Sequence, residues 1–329
     1  MNEFVWPELY CPFSPQINKY ADVLEDYAFE WVLRFNLLRD ESVYQRFSKA
    51  KFSWLAASTY PDCELEQLKI ANDWLSWLFI WDDQWDMSDL GKKPELLKSY
   101  YKRFLEIFNG AELTSEDIPL TYALSDIRQR MLSTGSAKLL HRVVCSFEDF
   151  FDGCVLEATN RAQGIIPNVE TYTNLRRLSV AGDLILLWIE LFNPFMIPDI
   201  LRKHDIVKKL QEMTINILAW CNDIFSAPRE MASGDVHNLV LVLHYQQQLP
   251  LEQAIKFAAE MHNQEVQKMM NLEVSIPSFG EDVDTQLAKY ISGCHAWIRG
   301  NLDWSSRSGR YKSTEKLDLA VGMASEIIV

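Results

Sequence analysis

Residues 64–82 constrain the fold more than any other stretch of the chain. Leu65, Leu68, Ala71, Trp74, Leu75, Leu78 and Phe79 recur at three- and four-residue spacing. The run from Trp74 to Trp81 leaves little polar surface around the helix axis. A helix that is apolar over most of its circumference has to be enclosed by others, so this segment reads as the buried centre of a bundle. Pro61 breaks the chain just before it, and Asp62 is placed to cap it.

The remaining sequence supplies the enclosing helices. Tyr20, Val23, Leu24, Tyr27, Ala28, Trp31 and Val32 form one apolar stripe within residues 18–38. Further helices are predicted over 93–108, 116–133, 136–160, 169–192, 198–229, 235–247, 251–271 and 281–303. Gly110, Gly135, Gly164 with Pro167, Pro194 with Pro198, Pro250, and Pro277 with Gly280 separate them. No segment shows strong period-two alternation, and twelve glycines and twelve prolines are few for a turn-rich β fold of 329 residues. No linker or low-complexity tract divides the chain. The expected architecture is all-α, with residues 1–329 as one domain.

A formal charge of −14 argues against nucleic acid, whose phosphates require basic residues arranged on a surface. An anionic small substrate would meet the same repulsion unless divalent cations intervened. Six cysteines, at 11, 63, 145, 154, 221 and 294, fit neither a zinc site nor a disulfide scaffold. They are expected to be reduced, with Cys145, Cys154 and Cys221 packed in helices. The first ten residues lack a basic stretch followed by an apolar one, and the longest apolar runs, such as Leu184 to Ile189, are too short to span a bilayer. The expectation is a cytoplasmic protein without a membrane span.

Two polar clusters interrupt this apolar pattern. Asp82, Asp83 and Asp86 end the central helix, where Asp82 and Asp86 share a face and Asp83 lies about 100° from Asp82. A helix C-terminus is the unfavourable end for anions. Three carboxylates there are either a solvated helix end or hard oxygen ligands for Mg²⁺. Downstream, Asn222, Ser226 and Glu230 recur every four residues and continue the face of an apolar segment containing Ile215, Ile217, Leu218 and Trp220. An amide, a hydroxyl and a carboxylate make a three-oxygen set for one Mg²⁺, and the other alternative is again a solvated helix end. Pro228, inside this set, should kink or end the helix, turning Glu230 either inward or away.

Together the two segments resemble the class I terpene synthases of bacterial type, which pair a DDxxD motif with a downstream NDxxSxxxE triad. Here these are DDQWD at 82–86 and NDIFSAPRE at 222–230. Trp304 followed by Arg310-Tyr311 is similar to the family's Arg-Tyr pair, and Arg176 to its diphosphate-sensing arginine, with Arg177 leaving that assignment open by one residue. The resemblance runs from the Trp- and Pro-containing start through residue 311. It implies a class I helical bundle around a central cavity, with three Mg²⁺ held by Asp82, Asp83 and Asp86 and by Asn222, Ser226 and Glu230. Arg176 and Arg310 would grip a prenyl diphosphate and Tyr311 would hydrogen-bond it, with Arg229 either assisting or paired at the surface. The family often has a glycine four residues after the sensing arginine, on a helix break whose carbonyl aids ionisation. That position is Val180 here, with Ser179 before it and Gly182 beyond, so either the break shifts or Val180 supplies the carbonyl.

The implied reaction is cyclisation of farnesyl diphosphate to a sesquiterpene of germacrene or selinene type, by a monomer or a homodimer. Aromatic faces would stabilise the passing cation. The candidates are Phe52, Trp54, Trp74, Phe79, Phe147, Phe150, Phe151, Trp188 and Trp304, each with ordinary core packing as the alternative. Phe79 is favoured because it precedes Asp82 by three residues. A prenyl-chain elongating transferase is the nearest rival and would carry a second true DDxxD motif; the cluster Glu148-Asp149-Phe150-Phe151-Asp152 begins with Glu and comes too early. A non-catalytic isoprenoid-binding helical protein is the other.

Overall fold

The structure, a computed structural model, describes residues 6–86, 89–133, 137–193 and 195–312, leaving aside the side chains at 86, 89, 90, 137 and 138. Within these residues the chain forms helices α1 (Ala21–Arg34), α2 (Glu41–Ala50), α3 (Phe52–Thr59), α4 (Leu65–Asp86), α5 (Pro94–Phe108), α6 (Pro119–Ser133) and α7 (Ala137–Gln163). There follow α8 (Val169–Ser179), α9 (Gly182–Leu191), α10 (Asp199–Arg202), α11 (Asp205–Ser233), α12 (Leu239–Gln246), α13 (Leu251–Val274) and α14 (Glu281–Arg307). No strand occurs among the described residues.

Helix α4 is enclosed as its sequence requires. It packs against α1, α3 and α6, and Trp74 and Trp77 are completely buried. Its aromatic residues meet those of α5 and α7 in one continuous cluster, with Trp81 against Phe104 at 5.0 Å and Trp77 against Phe147 at 5.7 Å between ring centroids. Across the bundle, α11 packs on α13, α14, α12, α9 and α8.

Several helix starts follow from local chemistry. Asp40, Asn168 and Asn238 cap α2, α8 and α12 by accepting from the amides of Val43, Thr171 and Val240. Gly234, at a φ of 77°, closes α11 in the left-handed region. Of the two outcomes expected at Pro228, an end of the helix there is corrected: α11 runs on to Ser233, because neighbours packed along its length outweigh one missing backbone bond. The helix predicted over 169–192 is also corrected, since Val180 and Ala181 interrupt it and Ala181 takes a φ of 58°. Residues 41–59, which periodicity left without a reading, hold α2 and α3. Of the three cysteines expected to be packed, Cys221 is buried, Cys154 is half-buried and Cys145 is exposed.

Close helix contacts depend on glycine. A Cβ on Gly293 of α14 would lie 2.4 Å from the Ile189 side chain of α9, and Ile189 is itself enclosed. Gly293→Ala is expected to destabilise the fold by about 1–3 kcal/mol, read as a lower urea midpoint with unchanged slope. Burial holds His262 of α13 down at about 4, against an ordinary value of 6.5. It therefore folds neutral but charges in the unfolded chain, so its contribution is complete above pH 6.5 and is lost as pH falls toward 4. The melting temperature should fall across that window, and His262→Gln should lessen the fall, by an amount bounded at about 3 kcal/mol.

Candidate active site

A cavity opens between α4, α7, α11 and α14, walled at one side by the break between α8 and α9. Leu55, Leu75, Leu78, Phe79, Ile185 and Leu218 supply an apolar wall. The mouth is polar, lined by Asp82, Arg176, Asn222, Arg229, Glu230 and Arg310. The two helix ends that carry the acidic motif and the triad thus meet at one opening.

On the α11 side, the four-residue spacing of Asn222, Ser226 and Glu230 places all three toward this end of the bundle. Asn222 Oδ1 accepts from Arg176 Nη2 at 2.9 Å, and its Nδ2 donates to the Tyr311 hydroxyl at 2.8 Å. Asn238, at the start of α12, donates to Glu230 Oε2 at 2.8 Å, to Ser226 Oγ at 3.1 Å and to the Asp223 carbonyl at 2.7 Å. One amide therefore ties two of the three predicted ligands together. Burial, reinforced by repulsion from Asp235, pushes the Glu230 carboxyl up to about 7. A cation at this site would offset that cost.

Arg176 projects from the last turn of α8. Its Nε donates to Asp223 Oδ1 at 3.1 Å, and Asp223 Oδ2 accepts from the Tyr172 hydroxyl at 2.6 Å. Burial opposes its charge, but Asp223, together with Tyr172, Glu157 and Glu230, outweighs burial and holds the guanidinium firmly protonated. Of the two candidate arginines, Arg176 lines the cavity, whereas Arg177 bonds Asn216 at 3.0 Å and does not line it. Val180, the residue that breaks the helix, does line it.

Arg310 and Tyr311 reach the mouth on a strap that follows α14. The Ala50 carbonyl accepts from Trp304 Nε1 at 2.7 Å and from Ser308 Oγ at 2.9 Å, and the Gly309 amide donates to the Lys49 carbonyl at 2.9 Å. A Cβ on Gly309 would lie 2.9 Å from that same oxygen, so the strap docks only with glycine there. Arg310 then forks onto Asp83 at 2.7 and 2.8 Å, reaches Asp82 at 3.3 Å and covers the Phe79 ring at 4.8 Å. Arg229 adds a bond to Asp83 at 3.2 Å, an ion pair at the cavity mouth. Burial alone would raise the Asp83 carboxyl, but the two arginines outweigh it and hold it below the ordinary carboxylate range. Asp83 is thus the counter-ion of these arginines, whereas Asp82 stays half exposed at the mouth. The Asp86 side chain lies outside the described residues.

The aromatic candidates divide. Phe79 and Phe150 line the cavity. Phe147 and Trp188 are fully enclosed by rings of the core, and Phe151 stacks on Tyr101 at 3.7 Å; none of the three lines the cavity. Trp74 belongs to the same core. Phe52 stacks behind Phe79 at 4.5 Å and Trp304 packs on both, so they support the wall from outside. Trp54 is corrected outright: it is 47% exposed, its indole donates to Glu25, and it faces a separate surface cleft with Ile17 and Arg307. Trp81, Trp85, Tyr101 and Trp297 line the cavity and were not singled out by sequence. Glu148, Asp149 and Asp152 are exposed on α7, away from the mouth.

Comparison with known proteins decides the family. The terpene synthase family 2, C-terminal metal-binding model matches residues 73–268, more than half of the chain. The chain belongs to the terpene synthases. It is 55% identical over 319 residues to the germacrene A synthase of Nostoc punctiforme, spanning 97% of this chain and 99% of the relative. It is 37% identical to the (+)-T-muurolol synthase of Roseiflexus castenholzii over 94% of both chains. Among solved structures, germacradien-4-ol synthase from Streptomyces citricolor superposes with a TM-score of 0.81 at 25% identity, covering 92% of this chain and 99% of that one. The fold is that of these enzymes, and family membership carries dependence on a divalent metal.

Among the described residues no group of three or more His, Cys, Asp or Glu side chains forms a metal cluster. The donors at the mouth nevertheless suit a hard cation, with Asp82 on one side and the Asn222 amide and Glu230 carboxylate on the other; the Ser226 hydroxyl is buried behind them, bonded to Asn238, and does not line the cavity. Asn238→Ala should raise the Mg²⁺ concentration needed for half-maximal activity by about 10–100-fold without changing helical content by circular dichroism, because Asn238 orients Ser226 and Glu230.

Proposed function

We propose that this terpene synthase ionises farnesyl diphosphate and closes the resulting allylic cation to a cyclic sesquiterpene of germacrene or selinene type, releasing diphosphate. Arg176, Arg310 and Tyr311 stand with Asp82, Asn222 and Glu230 around the mouth of one apolar, aromatic cavity, and that convergence carries the reading. The C15 substrate is supported by the name of the Roseiflexus castenholzii relative, which states that it cyclises farnesyl diphosphate, and the germacrene-type product by the name of the Nostoc punctiforme relative.

Asp82 and Asp86 on α4, and Asn222, Ser226 and Glu230 on α11, would hold three Mg²⁺. Bound there, the ions neutralise the diphosphate and make it a competent leaving group. Asp83 serves the same site by holding Arg310 and Arg229 at the mouth. Arg176 and Arg310 bond the diphosphate oxygens through their planar forks, and the Tyr311 hydroxyl donates a further bond. Val180 presents its backbone carbonyl from the helix break. Beyond the mouth, Leu75, Leu78 and Ile185 exclude water while Phe79, Trp81 and Trp297 turn aromatic surface to the cation, each worth about 0.5–2 kcal/mol. A chain-elongating transferase needs a second acidic cluster at the cavity, and the exposed position of Glu148, Asp149 and Asp152 weighs against it. We take residues 1–329 as one domain acting as a monomer or a homodimer.

The purified protein should be incubated with C10, C15 and C20 prenyl diphosphates and Mg²⁺, and the volatiles and free diphosphate measured. A cyclic C15 product, with diphosphate released in the absence of isopentenyl diphosphate, is the expected result; no turnover at any chain length would sink the proposal. Asp82→Ala and Asn222→Ala should each lower turnover by about 10²–10³-fold with the helical spectrum intact. Full activity in both variants would show that the metal assignment is wrong.

A further inference from the structure

A buried line of charged side chains lies behind the break between α8 and α9, and the proposed reaction leaves it without a role. Ser179, the last residue of α8, donates its hydroxyl to Glu157 Oε1. Glu157 Oε2 accepts from Arg161 Nη2 at 3.4 Å, and Arg161 bonds both oxygens of Asp235 at 3.1 Å through Nε. The Asp235 amide donates to the Glu230 carbonyl at 2.9 Å, and its Oδ1 accepts from the amides of Val236 and His237. The line therefore joins the last turn of α11, which carries Glu230, to the left-handed break at Ala181. Glu157, Arg161, Ser179 and Asp235 all line the cavity.

Two features set this line apart from ordinary packing. Helix α7 approaches the end of α8 so closely at Gly153 that a Cβ would sit 2.7 Å from both Leu178 Cβ and the Ser179 nitrogen. That approach brings Glu157, one turn further on, against the C-terminal end of α8. A carboxylate is least favoured there, because the helix terminus already carries partial negative charge. It is 6% exposed, and it also helps to hold the charge on Arg176. Well-packed apolar side chains would be no less stable at such a place. Arg161 and Arg176 compensate the charge of Glu157, and its other oxygen is turned to the hydroxyl of the residue immediately before the break.

Building on the proposed cyclisation, we propose that Glu157 is a positioning residue: it holds Ser179, and through it fixes the α8–α9 break and Val180 in the cavity wall, with Arg161 and Asp235 as its anchor. In this role Glu157 acts through Ser179 rather than on the reacting group. Its loss acts on the shape of the wall, and hence on turnover and product selection, more than on substrate affinity.

The test uses the full chain with Glu157→Ala, Glu157→Gln, Ser179→Ala and the double alanine variant. With farnesyl diphosphate and Mg²⁺, Glu157→Ala and Ser179→Ala should each lower kcat by about tenfold and raise the share of minor products, with KM moved less than about twofold. Glu157→Gln, which keeps an acceptor for Ser179, should restore the wild-type product ratio. The double variant should be no worse than Glu157→Ala, because both changes break the same link. Wild-type kcat and product ratio in both single variants, or effects that multiply in the double variant, would overturn the proposal. Ser179→Ala carries the test should Glu157→Ala fail to fold. Amide hydrogen exchange reads the same link without turnover: residues 176–184 should exchange about tenfold faster in Ser179→Ala while α4 is unchanged. Unaltered exchange there rejects the positioning role even if the wild-type protein turns over no prenyl diphosphate, a result that would count separately against the cyclase reading.

Discussion

Two guanidinium groups sit buried at the mouth of an apolar cavity, and neither could remain there without a carboxylate beside it. Arg310 forks onto Asp83, and Arg176 rests on Asp223. Taking a charge out of water costs several kcal/mol unless a partner and hydrogen bonds replace the lost solvation, on the order of what a small domain has in net stability. The pairs therefore dictate how the surrounding elements meet. Asp83 needs the strap after α14 to come back across the bundle to α4. Asp223 needs α8 to end beside α11, where Tyr172 and the Leu239 amide satisfy its second oxygen.

This arrangement also explains how an acidic protein can receive an anionic substrate. The formal charge of −14 is spread over the molecule, but the basic groups at the opening are held in place by buried acids. Local geometry governs there, since a charge a few ångströms away in a partly desolvated site outweighs distant ones screened by solvent. Behind the opening the polarity changes abruptly to Leu75, Leu78, Phe79 and Ile185. One end of the cavity is suited to a diphosphate and the other to a hydrocarbon chain, which is the division that ionisation and cyclisation require.

Much of the fold was legible because helices write a three- and four-residue period into sequence. That period located α4 and the run containing Asn222, Ser226 and Glu230, and it set Phe79 beside Asp82. It failed at Ala181, where a left-handed residue that is not glycine divides what reads as one helix into α8 and α9. It also could not sort the rings. Phe147 and Phe151 lie on the buried side of α7 and Trp188 on α9, which is apolar on several faces, and periodicity does not say which buried ring meets a void and which meets another ring. Trp54 faces outward from a short helix, α3, whose buried side is built from Ser53, Leu55, Ala56 and Ala57.

The sequence by itself determined an all-α chain with a buried central helix and two polar clusters near helix ends, because each rests on residue type and on spacing within one helix. Arg176, Arg310 and Tyr311 were picked out only by the family resemblance. Only the tertiary structure decided what meets what. It set Arg176 in the cavity wall and Arg177 against Asn216, turned Asp83 into the counter-ion of Arg310, and brought Asn238 to Ser226 and Glu230. It also set Glu157, Arg161 and Asp235 in line behind Ser179. These contacts join residues far apart in the chain, and their partners are fixed by how helices pack, through close approaches such as Gly153 on α8 and Gly309 on Lys49, which no local pattern records.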